Sequence, residues 1–349
     1  THQAASLWLR VTIVSRKSGG FFSSPLGINT RKNQPMKIAV IGAGNVGVSI
    51  CDYILLMGSC SELVLVDIDR ERAQGEIMDF SHTTALTFAR NTRLVSGDYS
   101  DCRDADIVII TAGAQIKRDQ TRDELASINA EITIDIAREV ERYAPDALLI
   151  LVTNPVDVTA YFVIANTGYP PHRVISSGCI IDTARFMKIV GDHLGIDPKN
   201  VFGYVLGEHG KTAFIAWSLS NIAGVPLDAY CARHDLPILD RDRVLEDVKQ
   251  VGLEIFRRKG NTDHGIAASV FRIVQAVSVN EHSILPVGVM LQGEYDLDNV
   301  VLSVPAVIDR TGVARVIDCP LEDEERKRLH DSAAFLRGVI DTVRHESKN

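Results

Sequence analysis

Residues 36–47 read Met-Lys-Ile-Ala-Val-Ile-Gly-Ala-Gly-Asn-Val-Gly, an apolar run followed by three glycines. The run predicts a buried strand, and the apolar side chains after it follow helical spacing. Gly42 permits a tight turn out of the strand, Gly44 lets a ligand approach the backbone, and Gly47 lets the next helix pack closely. The stretch therefore predicts a strand, a glycine-rich turn and a helix whose N-terminus binds the phosphates of a dinucleotide.

An acidic residue at the end of the next predicted strand completes this motif. Asp67 lies twenty residues after Gly47 and follows the apolar residues 63–66. A carboxylate at this position bonds the hydroxyls of a ribose and repels a 2′-phosphate. The residue after it is Ile68 rather than an arginine. The sequence therefore predicts NAD, and not NADP, as the cofactor.

Composition and charge exclude several classes of function. The chain has 349 residues, which suggests about two domains, and its net charge of −8 leaves no basic surface for a nucleic acid. The six cysteines form no C-x-x-C pair, so we expect reduced thiols and no metal site. No apolar run approaches the ~20 residues that span a bilayer. We predict a cytoplasmic protein that binds a small molecule and neither a nucleic acid nor a membrane.

The first 35 residues differ in composition from the rest of the chain. They contain no Asp or Glu, and they are rich in Ser and Thr. Their basic residues are Arg10, Arg16, Lys17, Arg31 and Lys32. This composition is typical of a transit peptide, and the alternative is an extension upstream of a translation start at Met36. Under both interpretations we expect residues 1–35 to lie outside the fold.

From Met36 onward, short aliphatic runs alternate with stretches of helical periodicity. The predicted strands are residues 38–41, 63–66, 93–95, 107–111, 148–152 and 174–176. Strands that are apolar on both faces and separated by helices indicate an α/β fold with a doubly wound parallel sheet of the Rossmann type. We expect this domain to occupy residues 36–177. A mixed α+β substrate domain should follow over 178–349, with a long helix near 240–258, strands within 287–316 and an amphipathic C-terminal helix.

Three polar segments carry candidate chemistry. His209 lies between glycines in Gly-Glu-His-Gly, Asp182 and Arg185 lie close together, and residues 115–122 are rich in charge. A bound nicotinamide supplies a hydride, so the protein must supply a proton donor and a group that holds the substrate. Taken alone, each segment is more typical of a structural or solvent-exposed role than of a catalytic one.

The order and spacing of these segments resemble the L-lactate/L-malate dehydrogenase family. The matching motifs are G-A-G-N-V-G at 42–47, T-A-G-A at 111–114 with T-R at 121–122, V-T-N-P-V-D at 152–157, I-D-T-A-R at 181–185, L-G-E-H-G at 206–210 and K-G-N-T at 259–262. The resemblance extends from Met36 to about Glu346.

This resemblance implies an NAD-dependent oxidoreductase of 2-oxo and 2-hydroxy acids that forms a homotetramer or homodimer. We expect the interconversion of pyruvate and L-lactate first, a branched-chain substrate such as L-2-hydroxyisocaproate second, and malate third. The alternative from another class is a non-catalytic NAD-binding relative, which the presence of every expected catalytic residue disfavours.

The family's site residues transfer to this chain at the matching positions. His209 resembles the acid/base, Asp182 its partner, and Arg122 an arginine on a loop that closes over the site and polarises the substrate carbonyl. The resemblance assigns substrate contacts to Arg185, which clamps the carboxylate, and to Asn154, Arg122, Ile116 and Thr262. It assigns cofactor contacts to Gly42, Gly44, Asn45, Val46, Gly47, Asp67, Thr111, Ala112, Gly113, Ala114, Asn129, Val152 and Asn154.

The chain departs from the family at its specificity position. In the family that this chain resembles, specificity is read six residues before the loop arginine. Malate dehydrogenases have an arginine at that position and lactate dehydrogenases a glutamine, whereas this chain has Ile116. Gln115 would replace the glutamine after a one-residue slip, and Arg118 would serve a dicarboxylate only after a larger rearrangement. A second carboxylate against Ile116 would lack a partner, so we predict a pocket for an uncharged side chain.

Overall fold

The N-terminal half of the chain builds a parallel sheet. The computed structural model describes residues 36–86, 91–115 and 122–346, with only the backbone at 122, 123 and 346. The first six strands are β1 (Lys37–Ile41), β2 (Glu62–Val66), β3 (Arg93–Gly97), β4 (Ile107–Ile110), β5 (Leu148–Leu151) and β6 (Val174–Ser176). They run parallel in the order β3-β2-β1-β4-β5-β6. The doubly wound sheet predicted from the sequence is confirmed, and each strand coincides with a predicted aliphatic run.

Helices follow most of these strands and cover the sheet. They are α1 (Asn45–Leu56), α2 (Arg70–Thr83), α3 (Arg122–Glu141), α4 (Val156–Asn166) and α5 (Ile180–Leu194). Asp69 caps α2 by accepting the Arg72 N–H, and α5 ends at Gly195, whose φ of 67° suits glycine. Residues of β1, β2, β4 and β5 are almost completely buried. This explains why these strands are apolar on both faces.

The C-terminal half adds strands to the same sheet, which the sequence did not predict. Its strands β12 (Ser283–Gln292), β13 (Asp298–Asp309) and β14 (Gly312–Val316) form an antiparallel meander. β12 pairs with β6, so one nine-stranded sheet runs β14-β13-β12-β6-β5-β4-β1-β2-β3. The connection between the two halves is therefore a continuous sheet and not only packed side chains.

Short strands and four further helices complete the C-terminal half. The strands are β7 (Val201–Phe202), β8 (Val205–Leu206), β9 (Phe214–Ile215), β10 (Asn221–Ile222) and β11 (Val225–Pro226). The helices are α6 (Leu227–Arg233), α7 (Arg241–Lys259), α8 (His264–Ser278) and α9 (Asp323–Glu346). A second buried cluster lies between α5, α7 and the short strands. Within the described parts of the chain, no helix has the length and apolar character that crossing a membrane requires.

The junction between β6 and β12 leaves no space for a side chain at Gly288. Gly288 pairs with Ser176, and a Cβ atom built on Gly288 would collide with the Ser176 hydroxyl and lie 2.5 Å from Asp157 Oδ1. Ser176 is fully buried, so its hydroxyl has little freedom to move aside. Glycine is therefore needed here because the two halves of the sheet approach each other closely.

We expect the substitution Gly288→Ala to lower the free energy of unfolding by about 1–3 kcal/mol, because it overpacks this junction. Urea denaturation at a fixed protein concentration measures the change. Gly338→Ala is the matched control: Gly338 lies on the exposed face of α9 with no atom within 4 Å of a built Cβ, so the substitution should stabilise the helix by about 0.5–1 kcal/mol. Equal effects of the two substitutions would contradict the close approach.

Candidate active site

The glycine-rich turn leaves its outer side open. Gly42 adopts a φ of 113°, and a Cβ on it would lie 2.6 Å from Thr111 Oγ1 at the end of β4. A Cβ on Gly47 would collide with the Gly42 carbonyl oxygen, whereas Gly44 has no atom within 4 Å of its Cβ position. Gly44 precedes α1, and no side chain of the described residues caps that N-terminus. The turn thus packs tightly on one side and exposes helix N–H groups on the other, as an anion site requires.

Asp67 lies beside this turn at the carboxyl end of β2. Its Oδ2 accepts the Ala43 N–H at 2.5 Å, and its Oδ1 accepts the Asp69 N–H at 2.8 Å. These two bonds fix the carboxylate next to the turn, and each oxygen keeps a lone pair for another donor. Ile68 is fully exposed next to it. The geometry therefore fits the ribose contact predicted for Asp67.

Asn129 of α3 connects two other predicted cofactor residues. Its side-chain oxygen accepts the Ala114 N–H at 2.7 Å, and its amide donates to the Asn154 carbonyl at 2.7 Å. Asn129 is buried, and the Asn154–Pro155 peptide that follows β5 is cis. The loops after β4 and β5 are therefore held together beside the glycine-rich turn. Asn129 was predicted to contact the cofactor, and its bonds show that it bridges these two loops.

Two predicted catalytic residues, Asp182 and His209, form one hydrogen-bonded network with Arg185, the predicted substrate clamp. Asp182 lies in the first turn of α5, and its Oδ2 is 2.6 Å from His209 Nδ1. Its Oδ1 accepts a bond from Arg185 Nη1 at 2.9 Å, one helical turn further on. The side chain of Asp182 is 7 % exposed, and those of Arg185 and His209 are 19 % and 22 % exposed. The carboxylate is thus buried, while both of its cationic partners reach the cavity.

This network sets the protonation of its members. Burial alone raises the pKa of Asp182, but His209 and Arg185 outweigh it, so the pKa of this carboxyl lies below its usual value. Burial alone lowers the pKa of His209, but the charge and hydrogen bond of Asp182 raise that pKa to about 9. His209 therefore carries a proton at neutral pH. Because Nδ1 faces Asp182, the other ring nitrogen is the one that faces the solvent side of the site.

The loop that carries His209 is anchored to several elements. Gly207 forms a two-way backbone bridge with Ser303 of β13, with N···O distances of 3.0 and 2.9 Å. The Glu208 N–H donates to Ser332 of α9 at 2.8 Å, and the His209 N–H donates to Asp157 of α4 at 2.8 Å. These bonds fix the position of the imidazole relative to α5.

One group of side chains has the composition of a metal site. Cys179, Asp182 and His209 each bring a ligand atom within 4.8 Å of the others. However, Asp182 and His209 are bonded to each other, and burial raises the pKa of the Cys179 thiol well above its usual value. A protonated thiol is a poor metal ligand. The hydrogen-bonded His–Asp pair explains this cluster without a metal.

A cavity of about 740 Å³ connects the glycine-rich turn to this network. Seven predicted site residues line it: Val46, Thr111, Val152, Asn154, Arg185, His209 and Thr262. Its walls also include Ile181, Val251 and Ile255, which the sequence analysis did not single out. Val251 and Ile255 lie one turn apart on α7, where such spacing normally indicates a core-facing side. Sequence pattern alone therefore contained no signal for these apolar walls.

The specificity segment lies outside the described residues. Ile116 and Arg118 belong to residues 116–121, and Arg122 is described only as the first backbone position of α3. Gln115 is described and is exposed. The roles predicted for Ile116 and Arg122 therefore stay predictions.

Comparison with known proteins gives concordant matches over both halves. Residues 36–176 match the family model for the lactate/malate dehydrogenase NAD binding domain, and residues 180–347 match that for the lactate/malate dehydrogenase alpha/beta C-terminal domain. An L-lactate dehydrogenase of Acetivibrio thermocellus is 42% identical over 88% of this chain and 97% of its own. L-lactate dehydrogenase 2 of Clostridium acetobutylicum is 41% identical over 87% and 96%.

A solved structure agrees with these matches. The ligand-bound minor L-lactate dehydrogenase of Enterococcus mundtii superposes with a TM-score of 0.85 and 38% identity, covering 88% of this chain and 98% of that protein.

The elevated pKa of His209 predicts a pH-dependent contribution to stability. Because the folded pKa of about 9 exceeds the usual 6.5, the contribution is complete below pH 6.5 and disappears as the pH rises through 9. The free energy of unfolding of the wild type relative to His209→Gln should fall over this interval by on the order of 1–3 kcal/mol. Urea denaturation at several pH values measures it.

Asp182→Asn tests the cause of this effect. In the Asp182→Asn background, the free energies of unfolding with His209 and with His209→Gln should differ by an amount that depends much less on pH, because the partner that raises the pKa of His209 is gone. A difference that stays constant between pH 6.5 and 9 in the wild-type background would refute the assignment.

Proposed function

This chain belongs to the lactate/malate dehydrogenase family, and we propose that it is an L-2-hydroxyacid dehydrogenase that converts pyruvate, NADH and a proton to L-lactate and NAD, and the reverse. NAD is the cofactor of the family's N-terminal domain. The observation that carries the proposal is the His209–Asp182–Arg185 network on the wall of a cavity that Val46 and Thr111 also line. A proton donor and a carboxylate clamp thus lie next to the cofactor site.

The residues of the N-terminal half fit a bound dinucleotide. The open side of Gly44 and the uncapped N-terminus of α1 suit a pyrophosphate, and Asp67 suits the ribose hydroxyls. When bound, reduced NAD supplies the hydride to the carbonyl carbon of the substrate. Thr111 and Val152 directly follow the neighbouring strands β4 and β5 at the same edge of the sheet, where ligands of open α/β sheets bind.

His209 donates the proton in this proposal. At neutral pH the imidazolium holds a proton on the ring nitrogen that does not face Asp182, and this proton passes to the substrate's C2 oxygen. Asp182 orients the ring and stabilises its charged form, in the same way as the carboxylate of a hydrolase triad. In lactate oxidation the neutral imidazole takes the proton back.

Arg185 holds the substrate carboxylate. One of its N–H groups donates to Asp182, and a guanidinium carries five donors, so enough remain for a two-point contact with a carboxylate. We propose that Asn154 bonds the substrate oxygen, that Thr262 lies under the C3 carbon of the substrate, and that Arg122, whose side chain lies outside the described residues, closes over the site and polarises the carbonyl. Closure excludes water and strengthens these charged contacts.

The substrate side chain is proposed to be uncharged. Ile181, Val251 and Ile255 line the cavity, which supports the prediction made from Ile116. This apolar wall favours a branched-chain acid such as L-2-hydroxyisocaproate as the second candidate substrate. Malate ranks third, because its second carboxylate would face apolar groups and lose its hydration without a partner.

We further propose a cytoplasmic homotetramer or homodimer. The six cysteines are all free thiols in the structure, which fits a reducing compartment. Leu253 and Phe256 of α7 are about half exposed, and apolar surface of this kind supports association between copies of the chain.

The decisive test is oxidation of NADH in the presence of pyruvate, 2-oxoisocaproate or oxaloacetate. We expect kcat/KM to be highest for pyruvate, with 2-oxoisocaproate next. His209→Gln should bind NADH with unchanged affinity, measured by fluorescence, and lose at least about a thousandfold in kcat, because the proton donor is absent. No turnover of any 2-oxo acid by the wild type would refute the proposed reaction, and a preference for oxaloacetate would refute the assigned substrate.

Ile116→Arg tests the specificity assignment. Supplying a cation at this position should raise kcat/KM for oxaloacetate relative to pyruvate by about tenfold or more, because the second carboxylate then has a partner. Ile238→Arg is the control, since Ile238 is an exposed isoleucine outside the cavity and the substitution changes the net charge equally. An unchanged ratio in Ile116→Arg would mean that Ile116 does not contact the substrate.

A further inference from the structure

Asp157 is a buried carboxylate that the proposed reaction leaves unused. It lies in the first turn of α4 and is 3 % exposed. Its Oδ2 accepts the His209 backbone N–H at 2.8 Å, and its Oδ1 accepts the Ser176 hydroxyl at 2.6 Å. It therefore connects α4, the last parallel strand β6 and the loop that carries the proton donor.

Burial disfavours the ionised form of Asp157, but the hydrogen bonds that its carboxylate accepts stabilise that form. Burial raises the pKa of Asp157 to about 6, while the Ser176 hydroxyl and the His209 N–H both oppose that rise. The N-terminus of α4 also favours a negative charge. At neutral pH, above this pKa, the ionised side chain therefore predominates, and its charge acts on the imidazole of His209.

We infer that Asp157 is a positioning residue for His209. Its Oδ2 fixes the main chain at His209, and its carboxylate supplies a second negative charge, besides that of Asp182, that favours the imidazolium. Asp182 of α5 bonds the imidazole ring directly. Asp157 of α4 acts through its bond to the His209 backbone N–H and through the electrostatic field of its charge. The catalytic consequence of this inference rests on the proposed function.

The effect of Asp157 on His209 can be separated from the effects of the other charged groups nearby. Arg185 disfavours the imidazolium, and Glu208 precedes His209 but directs its side chain to Thr212. Burial lowers the pKa of Lys249 of α7, and the charges of Glu208 and Asp182 oppose this change. The Cys179 thiol is neutral because burial raises its pKa. A substitution at Asp157 leaves all of these in place.

The test is Asp157→Asn, which keeps the size of the side chain and removes the charge. Pyruvate reduction needs protonated His209, so kcat/KM falls as the pH rises through the pKa of that histidine. Loss of a nearby negative charge lowers this pKa. We expect kcat/KM for pyruvate at pH 7 to fall about tenfold, and the alkaline decline to move to lower pH by about half a unit or more. NADH affinity should stay within about twofold, since no cofactor contact changes.

A purely structural role predicts a different result. It would lower activity or the melting temperature without moving the alkaline decline, and that outcome overturns the inference. Asp309→Asn is the matched control, because Asp309 is also a buried carboxylate but bonds Thr311 in a turn of β13 and β14, away from the cavity. Its alkaline decline should coincide with that of the wild type.

Ser176→Ala keeps the inference testable if Asp157→Asn does not fold. Removing the hydroxyl takes one donor from Asp157, so its ionised fraction at neutral pH falls and the pKa of His209 should move in the same direction by a smaller amount. If Asp157→Asn does not fold, an unchanged pH profile in Ser176→Ala overturns the inference.

An NMR titration of histidine labelled at Cε1 with ¹³C separates this inference from the proposed function. The signal of His209 is assigned by its loss in His209→Gln, and its pKa is compared between wild type and Asp157→Asn in the NADH complex. A lower pKa in the variant supports the inference even if no 2-oxo acid is reduced, in which case only the proposed function fails. Equal pKa values overturn the inference even if the enzyme turns over pyruvate.

Discussion

The charged hydrogen bond between His209 and Asp182 is the interaction on which the site depends. It joins a loop residue to the first turn of α5, and one carboxylate oxygen remains for Arg185. A buried carboxylate with no cation would be strongly disfavoured, so each partner makes the charge of the others tolerable. The same pairing keeps the imidazole protonated at neutral pH and leaves the guanidinium facing the cavity. Stability and chemistry therefore share one set of contacts.

The continuous sheet determines where this network lies. The strands β1, β2, β4 and β5 bring the glycine-rich turn, Asp67, Thr111 and the Asn154 loop to one edge. Because β12 adds to β6 through Gly288, β13 lies where Ser303 can bridge to Gly207, two residues before His209. His209, the proposed proton donor, is thus held by Ser303 of the C-terminal half through Gly207 and by Asp157 of α4, against the proposed cofactor site of the N-terminal half. A change at the junction of β6 and β12 is expected to affect both.

Features that depend on residues close together in the sequence could be predicted, whereas features that depend on contacts between distant residues could not. Strands β1, β2, β4 and β5 each contain four consecutive aliphatic residues and β3 and β6 contain two, so local pattern identified the strands and their parallel arrangement. The addition of β12 to β6 depends on a single paired position at Gly288, for which no local pattern exists. Asp157 was part of a motif but had no predicted role, because an acid in the first turn of a helix is ordinary. Only the fold places its carboxylate against the His209 N–H.

Charge pairing around the cavity argues for a monocarboxylate substrate independently of Ile116. Besides Arg185, the described lysines and arginines on its walls are Lys188, Lys259 and Arg272, and these form ion pairs with Asp192, Asp263 and Glu281 respectively. A second substrate carboxylate would have to share one of these cations with the acid it already pairs with, or lie against Ile181, Val251 and Ile255. Both choices cost free energy that a methyl or branched alkyl group does not. A dicarboxylate substrate would therefore require a further cation at the cavity, and Ile116, at the predicted specificity position, does not supply one.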